Sequence, residues 1–372
     1  MPKRSPDRNA AVGSTAAFRI ALVYAGCAIG AGFLSGQELC QFFGAHGKWG
    51  FLGLAVAVLA FAVLGGIILS LAVDSGEERM DSIVVFFDAP LLRGAVAVFE
   101  IVFLFMVYLL SAAAFGSLFL QLFSLHTVWG SAVFCLLTTV LSLRGIKGLV
   151  RFLSLVVPLL MIATVVFALI TVLTSEGLHF PTRASEGFLS GFWGFDGLTY
   201  AVFNLFCALP VLAPLGRTVR DGRTARRGIL LGALFLGVLI LLILLAVATR
   251  PECALLSLPM LELAMGKHAV FGYLYAFLLM LAIFSAGISS ESAMNEYFLQ
   301  RFPRLGKGLI PVAFGISLTA LFLGLFSFRD LVGLIYPLLG YIGFAPLALL
   351  LIHAVIFYRR KKRRQKENRE SL

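Results

Sequence analysis

The sequence is poor in charge and in metal-binding side chains. Of 372 residues, 13% are charged against 60% hydrophobic, and the mean hydropathy is +0.98. Soluble domains carry about 25% charged residues, so a water-soluble globule is excluded and a polytopic helical membrane protein is indicated. The five histidines never pair at ligand spacing, which removes a histidine-based metal centre. The five cysteines (Cys27, Cys40, Cys135, Cys207 and Cys253) contain no CxxC pair, and four lie inside apolar runs. They read as small core residues, with neither a disulfide framework nor a metal site. HExxH, a nucleophile elbow and a phosphate loop are all missing, so the chain is not expected to be an enzyme and no organic cofactor is implied. Met1–Ala16 lacks a small-residue cleavage site behind a short apolar core, and no removed signal peptide is expected.

Apolar runs are what the sequence has in abundance. They predict ten spans, at about 17–43, 50–73, 94–122, 128–143, 149–174, 188–215, 227–249, 268–300, 308–327 and 330–358. The net charge of +11 could suggest nucleic acid, but its placement argues for topology. With the N-terminus assigned to the cytoplasm, 25 lysines and arginines fall inside and 5 outside. That is a positive-inside pattern with both termini cytoplasmic. The tail from Arg359 to Arg364 could also hold anionic headgroups. Ten spans divide into five plus five, as an inverted repeat. The expected organisation is a cytoplasmic segment 1–16, a first repeat 17–174, an external linker 175–187, a second repeat 188–358 and a basic cytoplasmic tail 359–372.

The run Gly26-Cys27-Ala28-Ile29-Gly30-Ala31-Gly32-Phe33-Leu34-Ser35-Gly36-Gln37-Glu38 sits inside the first span. Glycine costs roughly 1 kcal/mol against alanine in a helix interior, and lipid offers no water to backbone groups freed by a break. Four glycines followed by Gln37 and Glu38 therefore predict a discontinuous helix whose unwound middle is a binding site. Glycines placed for close helix packing are the alternative. The sixth span carries a matching irregularity: Trp193-Gly194-Phe195-Asp196-Gly197 opens it, and Asn204, Pro210 and Pro214 interrupt it. The expected fold is all-α, with spans one and six both discontinuous.

Ala25–Gly32 resembles the broken first helix of the LeuT-fold transporters, the amino acid–polyamine–organocation superfamily in the broad sense. Ala286-Gly287-Ile288-Ser289-Ser290, in the eighth span, resembles their eighth-helix signature. Gly30–Glu38 is also similar to the bacterial membrane proteins labelled YkvI. The resemblance implies one sodium site, from the carbonyls of Gly26, Ile29 and Ala286 and the hydroxyls of Ser289 and Ser290. Hard cations prefer such oxygen ligands, and both segments lie about 15–18 Å from the same face by helical rise. The alternative for the serines is a hydroxyl bonded back to a carbonyl one turn earlier. Phe33 stands where some relatives carry a polar side chain for a second sodium, so no second sodium is implied there.

Candidate solute-binding groups are the amides of Gly30, Ala31 and Gly32 at the start of the second half-helix, which attract anions. Glu38, Asn204 and Tyr108 join them, although Tyr108 is equally read as packing. Gln37 and Glu38 could line the access path or bind a cationic part of the solute. Glu291 points about 100° from Ser290 and reads as a partner for Asn295. Three readings stand. The first is a secondary transporter of a small, polar, amino acid-like solute, coupled to one sodium. The second replaces sodium by a proton on Glu38 or Asp196, and the third is a non-transporting membrane sensor or scaffold. The expected partners are the solute and the lipid bilayer; the sequence leaves the oligomeric state open.

Overall fold

In lipid each span must close its own hydrogen bonds, and the described residues accordingly form helices and turns with no strand. The computed structural model describes residues 6–370 except 78–79, 86–88, 144–146, 181–187 and 220. In order, the helices are α1 (Pro6–Ala28), α2 (Ala31–Ser35), α3 (Gln37–Phe42), α4 (Gly50–Ser75), α5 (Met80–Val84), α6 (Pro90–Phe123) and α7 (Thr127–Leu143). Then come α8 (Lys147–Leu173), α9 (Trp193–Leu215), α10 (Gly222–Ala248), α11 (Pro259–Lys267), α12 (Ala269–Arg301), α13 (Leu309–Leu323) and α14 (Phe328–Glu370). Among the described residues, helices α4, α6, α9, α10, α12 and α14 give six spans long and apolar enough to cross a membrane. Four shorter apolar stretches lie in α1, α7, α8 and α13. Most of the expected linker 175–187, and Arg144 with it, lies outside the described residues.

The lipid-facing stripe is legible in α10. Leu230, Leu234, Val238 and Leu241 are exposed, while Ile229, Ala233, Leu236 and Ile240 are buried. That three-to-four spacing is the mark of a helix with one side in the core. Outside the span, Asp221 caps the helix by accepting from the Thr224 amide at 2.8 Å. The same hydrogen bond holds its carboxyl below the usual carboxylate range.

Packing sorts the helices into two groups. In one, α1 lies on α9 and α10, and α4 lies on both of those. In the other, α6, α7, α12 and α13 pack on one another. Helix α8 bridges α10 and α12, and α14 lies on α9 and α6. The α4–α9 contact is backbone against backbone. A Cβ on Gly197 would lie 2.3 Å from the Gly53 carbonyl oxygen, and one on Gly53 would lie 2.8 Å from that of Trp193. Small residues permit this approach, which is how membrane helices gain packing without a hydrophobic driving force.

The sequence expectation of a broken sixth span is corrected here. Trp193–Leu215 runs as one α-helix through Asn204, Pro210 and Pro214. Its two glycines, Gly194 and Gly197, fall near the helix start, where the first amides have no intrahelical partner in any case. Each proline removes only the bond to the carbonyl four residues back. Helix α14 continues through the basic tail to Glu370. Lys361 in that extension pairs with Asp74 at the end of α4, at 2.8 Å.

Candidate solute site at the broken first helix

The first span breaks where the glycines stand. Helix α1 ends at Ala28, Ile29 and Gly30 are not helical, and α2 begins at Ala31 behind an extended Gly30. A second kink follows at Gly36, whose φ of 83° lies in the left-handed region that favours glycine. That kink takes the Leu34 carbonyl out of the regular helix ladder. Tyr275 of α12 donates to it at 2.6 Å, and Thr164 of α8 lies 3.2 Å from the same tyrosine hydroxyl. The second packing group thus holds the kink through one side chain.

The kink delivers Glu38, 2% exposed, into the core. Tyr200 of α9 donates to its Oε1 at 2.9 Å. Tyr336 of α14 is the second hydrogen-bond donor to the same carboxyl. Gly32 leaves the room for this: a Cβ there would lie 2.6 Å from Glu38 Oε2 and 2.8 Å from the Tyr336 hydroxyl. Aromatic rings fix both tyrosines. Tyr200 sits among Phe42, Phe43 and Phe61, and Tyr336 stacks on Phe203 with ring centroids 4.3 Å apart. Beside Glu38, Gln37 Oε1 and Gln41 Nε2 are buried without a hydrogen-bond partner. The site therefore offers a carboxyl group, a free acceptor and a free donor from three residues of α3.

Two comparisons bear on this arrangement. The chain is homologous to two proteins of Bacillus subtilis (strain 168). The uncharacterized membrane protein YkvI is 24% identical over 337 residues, 90% of this chain and 95% of its own length. The uncharacterized protein YyaD is 24% identical over 339 residues, 90% and 96% of the two lengths. Among solved structures, Mhp1, a nucleobase-cation-symport-1 family transporter, is similar in its closed conformation with bromovinylhydantoin bound. That likeness has a TM-score of 0.54 at 14% identity, over 82% of this chain and 70% of Mhp1. Its inward-facing conformation matches with the same TM-score of 0.54 at 15% identity, over 90% and 75%. The fold is like that of a known transporter. No family model matches the chain.

The other expected site residues are placed as follows. Gly30 lies in the break and Ala31 follows it, and a Cβ on Gly30 would meet nothing within 4 Å. Asn204, 2% exposed, donates to the Tyr200 carbonyl of its own helix at 3.0 Å. Tyr108 belongs to a different cluster: its hydroxyl lies 2.8 Å from Thr138 and 2.9 Å from Ser317. Asp196 is fully buried and holds a loop. It accepts from the Ser190 amide at 2.9 Å, the Ser190 hydroxyl at 2.7 Å and the Gly191 amide at 3.2 Å, and it contacts His46 at 2.9 Å. Of the resemblance-implied cation ligands, Gly26 and Ala286 are half-buried and Ile29 is buried. The Gly26 carbonyl accepts from the Ile29 amide at 3.4 Å. Ser290 is buried while Ser289 is exposed, so the two hydroxyls point to different sides of α12.

Sequence reasoning missed Tyr200, Tyr275 and Tyr336. An aromatic inside a hydrophobic span looks like packing whether or not its hydroxyl donates to a distant acceptor. The available signal was Gly32, a glycine shortly before an intramembrane acid.

Proposed function

We propose that the protein is a secondary transporter of LeuT-fold type, moving a small polar, amino acid-like organic solute by alternating access around the break in the first span. The observation that carries this reading is Glu38. It is a buried carboxyl group set at a glycine kink, held by hydroxyls from α9 and α14 and flanked by two unsatisfied glutamine atoms. Ionisable groups at this depth mark solute and ion pathways. Backbone irregularity is tolerated there where it lines a cavity. The Mhp1-like fold and the homology to a membrane protein support the reading. The ten spans form two inverted five-helix halves, with both termini in the cytoplasm of a bacterial inner membrane.

Coupling to one sodium ion, with Gly26, Ile29, Ala286, Ser289 and Ser290 as ligands, follows from the resemblance. A second reading, favoured by the geometry at Glu38, couples transport to a proton on that residue. Its hydrogen-bond partners are neutral tyrosines, so the charge has no countercharge there and a solute amine or a proton can supply one. Asp196 is the weaker proton carrier, because its oxygens are engaged in holding the loop at 190–191.

The test is solute uptake by proteoliposomes across a metabolite panel, driven by a sodium gradient or by a pH gradient. Glu38→Gln is expected to abolish proton-driven uptake while the protein remains folded in the membrane. Uptake with unchanged affinity and pH profile in Glu38→Ala would leave Glu38 as a packing element and sink this reading.

A further inference from the structure

Glu291 lies in α12, inside the second packing group and away from the broken helix, and is 0% exposed. Ser317 of α13 donates to its Oε1 at 3.2 Å. The Ser317 hydroxyl also contacts Tyr108 of α6 and Thr139 of α7. One helical turn beyond Glu291, Asn295 is 4% exposed, and its Nδ2 donates to Ser142 of α7 at 3.2 Å.

Two atoms in this cluster stay unsatisfied. Glu291 Oε2 and Asn295 Oδ1 are both buried and without a hydrogen-bond partner. Residues four apart share a helix face, so the two oxygens lie on one side of α12, and with Glu291 ionised both can only accept. Ser317 donates to Glu291 Oε1, while the other hydroxyls close to the carboxyl group donate back along their own helix: Ser142 to the Thr139 carbonyl at 3.0 Å, Thr138 to that of Phe134 at 3.0 Å and Thr139 to that of Cys135 at 2.8 Å. The titratable neighbours, Tyr108 from α6 and Cys135 from α7, bring no positive charge. Among the described residues no lysine, arginine or histidine pairs with Glu291. What the cluster needs is a single positive charge that prefers oxygen ligands.

We propose that Glu291 Oε2 and Asn295 Oδ1 are ligands of a monovalent cation site at the junction of α6, α7, α12 and α13, with hydroxyl oxygens of Thr139, Ser142 and Ser317 beside them. One carboxylate balances one unit charge, whereas divalent sites ordinarily gather several carboxylates or waters. This site is separate from the five ligands that the resemblance implies, and it does not depend on the protein being a transporter.

The experiment is thermal unfolding of the purified full chain in lipid nanodiscs, at fixed pH and ionic strength, with chloride salts of sodium, potassium or choline. Sodium or potassium should raise the midpoint saturably over choline. Glu291→Gln should lose that shift, and Asn295→Ala should need roughly tenfold more cation for the same shift. Ser289→Ala should keep the wild-type response. If Glu291→Gln does not fold, Asn295→Ala and Ser317→Ala carry the test. The proposal is overturned if the wild type shows no cation response, if both Glu291→Gln and Asn295→Ala respond as wild type, or if Ser289→Ala alone removes the response. Stabilisation by acidification in choline, without any cation effect, would also overturn it in favour of a protonated carboxyl group.

Discussion

Glu38 and Glu291 are both buried acids in spanning segments, and both accept hydrogen bonds from hydroxyls, but they sit in different mechanical settings. Glu38 follows a kink, and its two tyrosine partners come from α9 and α14, so three elements meet at one carboxyl group. Glu291 stands on an unbroken helix, and its neighbours all belong to the group in which that helix packs. A carboxyl group shared between separately packed elements can lose its partners when they move. One enclosed within a single packed group keeps them. The first arrangement suits a group that is exposed in turn to two sides, and the second suits a group that holds something in place.

The largest expected effect is at Gly32. A valine there should push the Glu38 carboxyl away from Tyr336, with an overpacking cost of about 1–3 kcal/mol, and solute uptake should be lost. Thermal unfolding with parallel uptake measures both, and normal uptake by Gly32→Val would break the link between the kink and the solute. Next come Tyr200→Phe and Tyr336→Phe, each removing one donor to a carboxyl group, worth about 1.5–3 kcal/mol if that group is charged and about 1 kcal/mol if it is neutral. Both should weaken solute-dependent stabilisation and leave the cation response intact. Equal losses in both responses would mean that the two acids form one site. The smallest effect is expected at Tyr108→Phe, about 1 kcal/mol of stability, with solute affinity unchanged in an uptake titration. A change in that affinity would return Tyr108 to the solute site, where the sequence had suggested it.

Apolar runs repeat along the chain, and each expected span coincides with a helix or, for the first, with a broken run of helices. The break at Ile29–Gly30 was legible as well. Glycines weaken a helix, and a weakened helix inside lipid has no water to satisfy its freed backbone groups. The sixth span was misread because its glycines lie near the helix start, Asn204 bonds back to its own helix, and an interior proline removes only one backbone bond. Helices α5 and α11 escaped notice, being only 5 and 9 residues long. The Glu291 cluster was illegible for a different reason. Thr138, Thr139, Ser142 and Ser317 each look like an ordinary hydroxyl bonding back along its own helix, and only the fold brings them to one acid.

The meeting of Gly53 with Gly197 and Trp193 constrains how the molecule opens. With no layer of side chains between α4 and α9, sliding one along the other would drive carbonyl oxygens into α-carbons. The two therefore travel as a single beam, and Tyr200 travels with them. Glu38 lies beyond the kink at Gly36 on a segment that rests on that beam through Phe42, Phe43 and the Tyr200 bond, whereas Leu34, before the kink, is tied to Tyr275 on the opposite side. A displacement of the beam against α12 would therefore be taken up at Gly36, which lies between the two attachments.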